Sequence, residues 1–229
     1  MKVLLVLLLL VLGLAVVGDR VAVGLAEDRV ASELAAQGGL AGAPEVEIRG
    51  FPFLTQAVAG RYDDVRISLT ADQLGQPAGT RADIALRGVH VPLSGVLSGS
   101  VEEVPVDRVD GTATLSYALL SAQLGGDTTV RPEGAGLRIT RTVEVLGQEI
   151  PLTAAGTVAL DGDELVVDVE RASGAGVDLP GFLVDRASDL LDLRYTVPAL
   201  PFGLQLVDVQ PAGDGVDVRV AAEDTVLAG

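Results

Sequence analysis

The sequence predicts an α+β fold: one long N-terminal helix, then roughly eight or more antiparallel strands, with two shorter helices among them. Three observations predict it. Residues 3–18, VLLVLLLLVLGLAVVG, carry no polar side chain. Residues 19–36, DRVAVGLAEDRVASELAA, repeat apolar side chains three or four apart at Val23, Ala26, Val30 and Leu34, which is the spacing of an amphipathic helix. Beyond them the apolar period is two almost to the C-terminus, the pattern of half-buried antiparallel strands.

The N-terminal run follows Lys2 and has the charged start and apolar stretch of an export signal. Sixteen helical residues rise about 24 Å against a hydrocarbon core of about 30 Å, so a cleaved signal and a short membrane anchor both fit. The nearest small-residue cleavage match is Val16-Val17-Gly18, and no A-x-A precedes Asp19. There is no Cys to acylate, which excludes a lipoprotein anchor. Leucines on every face at the extreme terminus argue against a buried core helix. The expected organisation is therefore a signal peptide or anchor over 1–18 and a single domain over 19–229.

The amphipathic helix is expected to stop at Gln37-Gly38-Gly39, where glycine takes the left-handed cap conformation. Val65, Ile67 and Leu69 alternate with Arg66, Ser68 and Thr70, and Leu137, Ile139, Val143 and Val145 alternate with polar neighbours. In RADIALRGVHVPL the apolar set moves from even positions (Ile84, Leu86) to odd ones (Val89, Val91, Leu93), a phase slip that predicts a β-bulge at Arg87-Gly88. Asp161-Gly162 and the stretch Pro211 to Gly215 each read as a tight hairpin connection. The two shorter helices are YALLSAQL, capped by Ser116 and stopped at Gly125-Gly126, and GFLVDRASDLL, opened by Asp178 and Pro180.

Composition narrows the function. Sixteen basic against 32 acidic side chains leave a net charge of -16, which disfavours nucleic acid, whose phosphates are bound by Lys and Arg. Without Cys there is no disulfide framework, thiolate metal site or cysteine nucleophile. Only seven residues are aromatic, so Val, Leu and Ala must fill an interior that is smooth and suited to acyl chains. Of the 48 acidic and basic side chains, residues 155–229 hold 14 acids against four Arg; most of these acids alternate with Val or Leu and read as solvated strand faces rather than a cation site.

Catalytic signatures are missing: no G-x-S-x-G elbow, phosphate-binding P-loop, H-E-x-x-H or calcium loop occurs. The sole His, His90, falls on the polar side of its strand and reads as a surface or satisfied residue. Gly134-Ala135-Gly136 and Gly174-Ala175-Gly176 read as turns. The chain is accordingly expected not to be an enzyme and to use no cofactor or metal; a hydrolase built on Asp residues or His90 is the weakest alternative. Apolar side chains gather instead in two proline-shaped segments, Gly50 to Gly60 around Phe51, Phe53 and Leu54, and Arg194 to Leu206 around Tyr195, Leu200 and Phe202. They form either the mouth of a cavity or a membrane-dipping edge, or plug the ends of a rolled sheet.

In these blocks the sequence resembles the LmeA-like family of actinobacterial envelope phospholipid-binding proteins. The matching pieces are the export segment running into GDRVA, IRGFPFLTQAVAGRYDDVRI, GTATLSYALL, and VPALPFGLQLVDVQPAGDGVDVRVAAEDTVL. The resemblance implies a TULIP-like fold, a long helix wrapped by a highly curved antiparallel sheet around an apolar tunnel. It also implies binding of phospholipid, phosphoinositides included, at the periplasmic side, and in mycobacteria a part in maintaining lipomannan and lipoarabinomannan. It brings no catalytic residues.

The leading expectation is a non-enzymatic, exported, periplasmic-side lipid-binding or lipid-shuttling protein of the envelope. Its expected acyl-chain contacts are Phe51, Phe53, Leu54, Ile67, Leu69, Leu115, Leu119, Leu120, Phe182, Leu183, Tyr195, Leu200 and Phe202, with Arg61, Arg66 and Arg87 toward a headgroup. Each buried methylene contributes about 0.8 kcal/mol, so ten buried carbons supply about 8 kcal/mol before ordering costs, without any polar hot spot. The alternative is an envelope scaffold with a fully packed interior whose acidic face binds a partner enzyme.

Overall fold

A computed structural model of the chain describes residues 2–92, 95, 103–125, 128–145, 148–161, 164–174, 177–178, 194–196, 200 and 203–228. In chain order the elements are α1 (Lys2–Gly38), β1 (Glu45–Arg49), α2 (Phe53–Ala59), β2 (Arg61–Thr70), α3 (Ala71–Leu74), β3 (Arg81–His90), β4 (Glu103–Ser116), α4 (Tyr117–Gln123), β5 (Thr128–Glu133), β6 (Gly136–Val145), β7 (Gln148–Asp161), β8 (Glu164–Gly174), β9 (Val177–Asp178), β10 (Arg194–Thr196), β11 (Gln205–Pro211) and β12 (Gly215–Ala228). One sheet has the order β1-β2-β3-β4-β12-β11, and the other the order β10-β8-β7-β6-β5 with β9 on β8. This is the α+β class expected. The helix expected over 181–191 lies outside the described residues.

The chain forms two compact units, one of Met1–Leu69, Asp83–Gly111 and Ala221–Gly229, the other of Thr70–Ala82 and Thr112–Val220. In the first, the apolar run and the following segment make one unbroken helix, α1, long and apolar enough to cross a membrane. It ends where expected, with Gly39 at φ 61°. Its packed face differs from the expected one. Val30 is exposed, and the buried residues are Asp19, Val23 and Ala31, spaced four apart with Glu27 between them. The reason is a demand for acceptors. The outward N–H of Ile48 in β1 donates to Glu27 Oε1 at 2.7 Å, and the N–H of Leu54 donates to Asp19 Oδ1 at 2.8 Å, so α1 covers a sheet edge with carboxylates as well as with apolar atoms.

Within that unit β1 and β2 pair antiparallel, with Val46 opposite Ile67 and Ile48 opposite Val65, which puts Val46, Ile48 and Val65 into the core with Phe53, Leu86, Val89, Val106 and Val109. The phase slip in β3 is present. Leu86 is buried, Arg87 exposed, and Gly88 and Val89 are buried again. Gly88 sits at φ 60°, and a Cβ there would run into the Asp107 carboxylate, so only glycine fits.

The second unit is built around Val130, Leu137, Ile139, Val209 and Val216, with Tyr117, Leu120, Val158, Leu206 and Val218 packed against them. Three antiparallel hairpins frame it: β5–β6 closes at Glu133 opposite Gly136, β7–β8 at Asp161 opposite Glu164, and β11–β12 through Ala212 N–H to Gly215 O at 2.7 Å. The β5–β6 closure makes Gly134-Ala135-Gly136 the turn expected of it. Ser116 caps α4, its Oγ accepting from Leu119 N at 3.2 Å and from the Thr80 hydroxyl at 3.0 Å.

Candidate functional site

The expected acyl-chain contacts fall into three groups. Phe53 is 6 % exposed and belongs to the closed core; its ring lies 6.1 Å from that of Tyr62, whose hydroxyl burial pushes above its ordinary range. Ile67, Leu69, Leu115, Leu119, Leu120 and Leu200 are each half-buried. Phe51 and Leu54 are exposed, at 64 % and 45 %. Tyr195 lies in β10, while Phe182, Leu183 and Phe202 lie outside the described residues.

Phe51 and Leu54 owe their position to their neighbours. The loop before α2 is pinned from β1 and β2 by the buried Gln56, whose Nε2 donates to Arg49 O at 3.3 Å and whose Oε1 accepts from Asp63 N at 3.0 Å. Gly50, at φ 109°, leaves room for that amide. Asp19 holds the other side. It is 2 % exposed, accepts from Leu54 N, and pairs with Arg20 at 2.7 Å; the Arg20 guanidinium lies 5.4 Å from the centre of the Phe51 ring. With the core filled by Phe53 beneath, Phe51, Leu54 and Val58 point outward, Val58 being 77 % exposed. Three exposed apolar side chains thus stand on a loop and helix held by buried polar contacts.

The three expected headgroup cations each lie near a carboxylate. Arg61 reaches Asp107 Oδ2 at 2.9 Å, and Arg66 reaches Asp64 Oδ2 at 3.4 Å. Arg87 is exposed, and its charge adds to that of Arg108 in holding Asp110 below the ordinary carboxylate range, where the Arg108 hydrogen bond is the larger cause. His90 Nε2 lies 3.0 Å from Asp107 Oδ1, so the sole histidine is the satisfied strand residue expected. Among the described residues no three His, Asp or Glu side chains are placed to hold a metal ion. Acids in the second unit serve ion pairs: Glu133 with Arg138 and Arg171, and Asp208 with Arg219.

Sequence reasoning missed Asp19 and Glu27. The signal was available, because 19, 23, 27 and 31 share one helical face and two of the four are acids. It was obscured by the competing apolar set at Val23, Ala26, Val30 and Leu34.

A family model described as LmeA-like phospholipid-binding matches residues 17–221 of the chain. No curated protein and no solved structure matches it.

Proposed function

We propose, from the premise that the chain belongs to the LmeA-like phospholipid-binding family, that it is an exported, non-catalytic lipid carrier of the cell envelope. It holds phospholipid acyl chains on aliphatic faces at the periplasmic side of the membrane, tethered by α1 or released from it, and supports glycolipid or lipoglycan assembly. The observation that carries this reading is the family match over 17–221, which begins inside the apolar run of α1 and spans the aliphatic strands. The half-buried Ile67, Leu69, Leu115 and Leu119 support it: side chains neither fully buried nor in solvent are the ones that gain from covering by a methylene chain. Arg61, Arg66 and Arg87 are the cations for a headgroup, phosphoinositide included. The carboxylates now paired with Arg61 and Arg66 are partly solvated, and such exposed pairs are worth about 0 to 1 kcal/mol, so a phosphate can displace them.

The test is photo-crosslinking of the full chain with phosphatidylcholine and phosphatidylinositol carrying a diazirine on the acyl chain, the adducts being mapped by peptide mass spectrometry. Adducts at Ile67–Leu69 and Leu115–Leu119 are expected, reduced by Leu115→Asp. Adducts confined to residues 3–18 would overturn the carrier reading and favour a scaffold.

A further inference from the structure

We propose that the loop and helix bearing Phe51, Leu54 and Val58 are embedded in the bilayer interface at the point where α1 enters it, with Asp19 and Arg20 fixing that depth. The proposal deepens the carrier reading and rests on its tether.

The apolar run from Val3 to Gly18 rises about 24 Å, about 6 Å short of a hydrocarbon core of about 30 Å. A short span is accommodated by thinning the bilayer or by drawing in what flanks the helix, and here the flank suits the lipid. Just past the run the outward side of α1 carries Val21, exposed by 57 % and about 3 Å along the axis from Asp19. The opposite side carries α2, held at the level of Asp19 by the hydrogen bond from Leu54 N. On that side Val16 is 39 % exposed, against 56 % or more for the other exposed large side chains of the run, and Phe51, Leu54 and Val58 continue its apolar surface. Apolar side chains therefore ring the helix at one level.

The polar groups at that level fit the same depth. Asp19, the first acid of the chain, is sealed from solvent and engaged by Leu54 N–H and Arg20. Arg20 sets its guanidinium over the exposed edge of the fold at Phe51 and keeps its side chain half exposed, within reach of lipid phosphates at an interfacial depth. Glu27 and the Ile48 edge it caps are eight residues farther along α1, about 12 Å above Asp19 and clear of the headgroups.

The chain has no Cys, so one introduced thiol labels one place. A fluorophore is attached at Val58→Cys, Phe51→Cys, Leu10→Cys or Glu45→Cys in the full chain, reconstituted in phosphatidylcholine nanodiscs whose lipids carry a spin label near the carbonyl or at mid-chain. The expected result is strong quenching at positions 58 and 51 by the shallow label, at position 10 by the deep label, and none at position 45. Quenching at 58 and 51 no greater than at 45, with position 10 quenched, overturns the proposal and leaves the tether standing. An unquenched position 10 removes the tether and the proposal with it, whatever happens at 58 and 51.

Discussion

Asp107 shows how single residues set what a lipid headgroup would meet. Its two carboxylate oxygens take Arg61 at 2.9 Å and His90 at 3.0 Å, and the missing side chain of Gly88 lets the strand pass beside it. Each of these partners comes from a different stretch of sequence, 46 and 17 residues away for Arg61 and His90. That convergence was not legible beforehand, because the pairing of β2, β3 and β4 is decided by burial and turn geometry rather than by any local motif. It has a consequence for binding. If Arg61 serves a headgroup, Asp107 competes with the phosphate for it. Asp107→Ala is expected to strengthen binding of phosphatidylinositol by up to about fivefold, the upper bound of about 1 kcal/mol for one displaced exposed pair. Titration of the full chain with short-chain phosphatidylinositol checks this, and unchanged affinity removes Arg61 from the headgroup site.

At the scale of elements, what was legible came from local chemistry. Ser116 before an apolar helical run, Gly39 after one, the phase slip at Gly88 and the short connections after Asp161 and Pro211 each specify backbone geometry within a few residues, and each is found in place. What escaped was short or relational. α2 and α3 have seven and four residues, too few to display a 3.6-residue period, and the packed face of α1 depends on which N–H groups of β1 and α2 lack acceptors. Ser116 joins both kinds of information. Its hydroxyl caps α4 and also receives the Thr80 hydroxyl, while α4 is tied onward by Tyr117 OH to Ala212 O at 2.7 Å and by Val130 N to Ser121 Oγ at 2.9 Å. Ser116→Ala thus removes a cap and leaves a buried hydroxyl unpaired, and is expected to cost about 1 to 2 kcal/mol. Urea denaturation measures it; a loss under about 0.5 kcal/mol would show that solvent replaces the cap.

For the whole molecule, charge and local pairing pull stability in opposite directions as pH falls. The chain carries a net charge of -16 and has an isoelectric point near 4.3. Acidification from pH 7 toward that point relieves self-repulsion and favours the compact state. Against this stand carboxylates whose folded forms titrate below their ordinary range: Glu133, through its hydrogen bond from Arg138 with a further contribution from Arg171, and Asp208, through those from Arg219 and Gln210. Both have a folded pKa lower than the unfolded one, so between the two values the unfolded chain binds more protons and stability rises with pH. Their stabilisation is complete above the ordinary carboxylate range, about 4, and disappears as pH falls through their lowered values. Repulsion dominates above about pH 5, where these groups are ionised in both states, and pairing dominates below about 4. The melting midpoint is therefore expected to hold or rise from pH 7 to 5 and to fall steeply below 4. Added salt at pH 7 should raise it, since screening the repulsion of a net charge of -16 outweighs weakening exposed ion pairs worth well under 1 kcal/mol each. Glu133→Gln removes one of the titrating groups and should make the acid limb shallower without changing the salt response. Circular dichroism melts of both proteins between pH 3 and 7 decide the matter: parallel acid limbs would assign the loss to titration elsewhere in the chain.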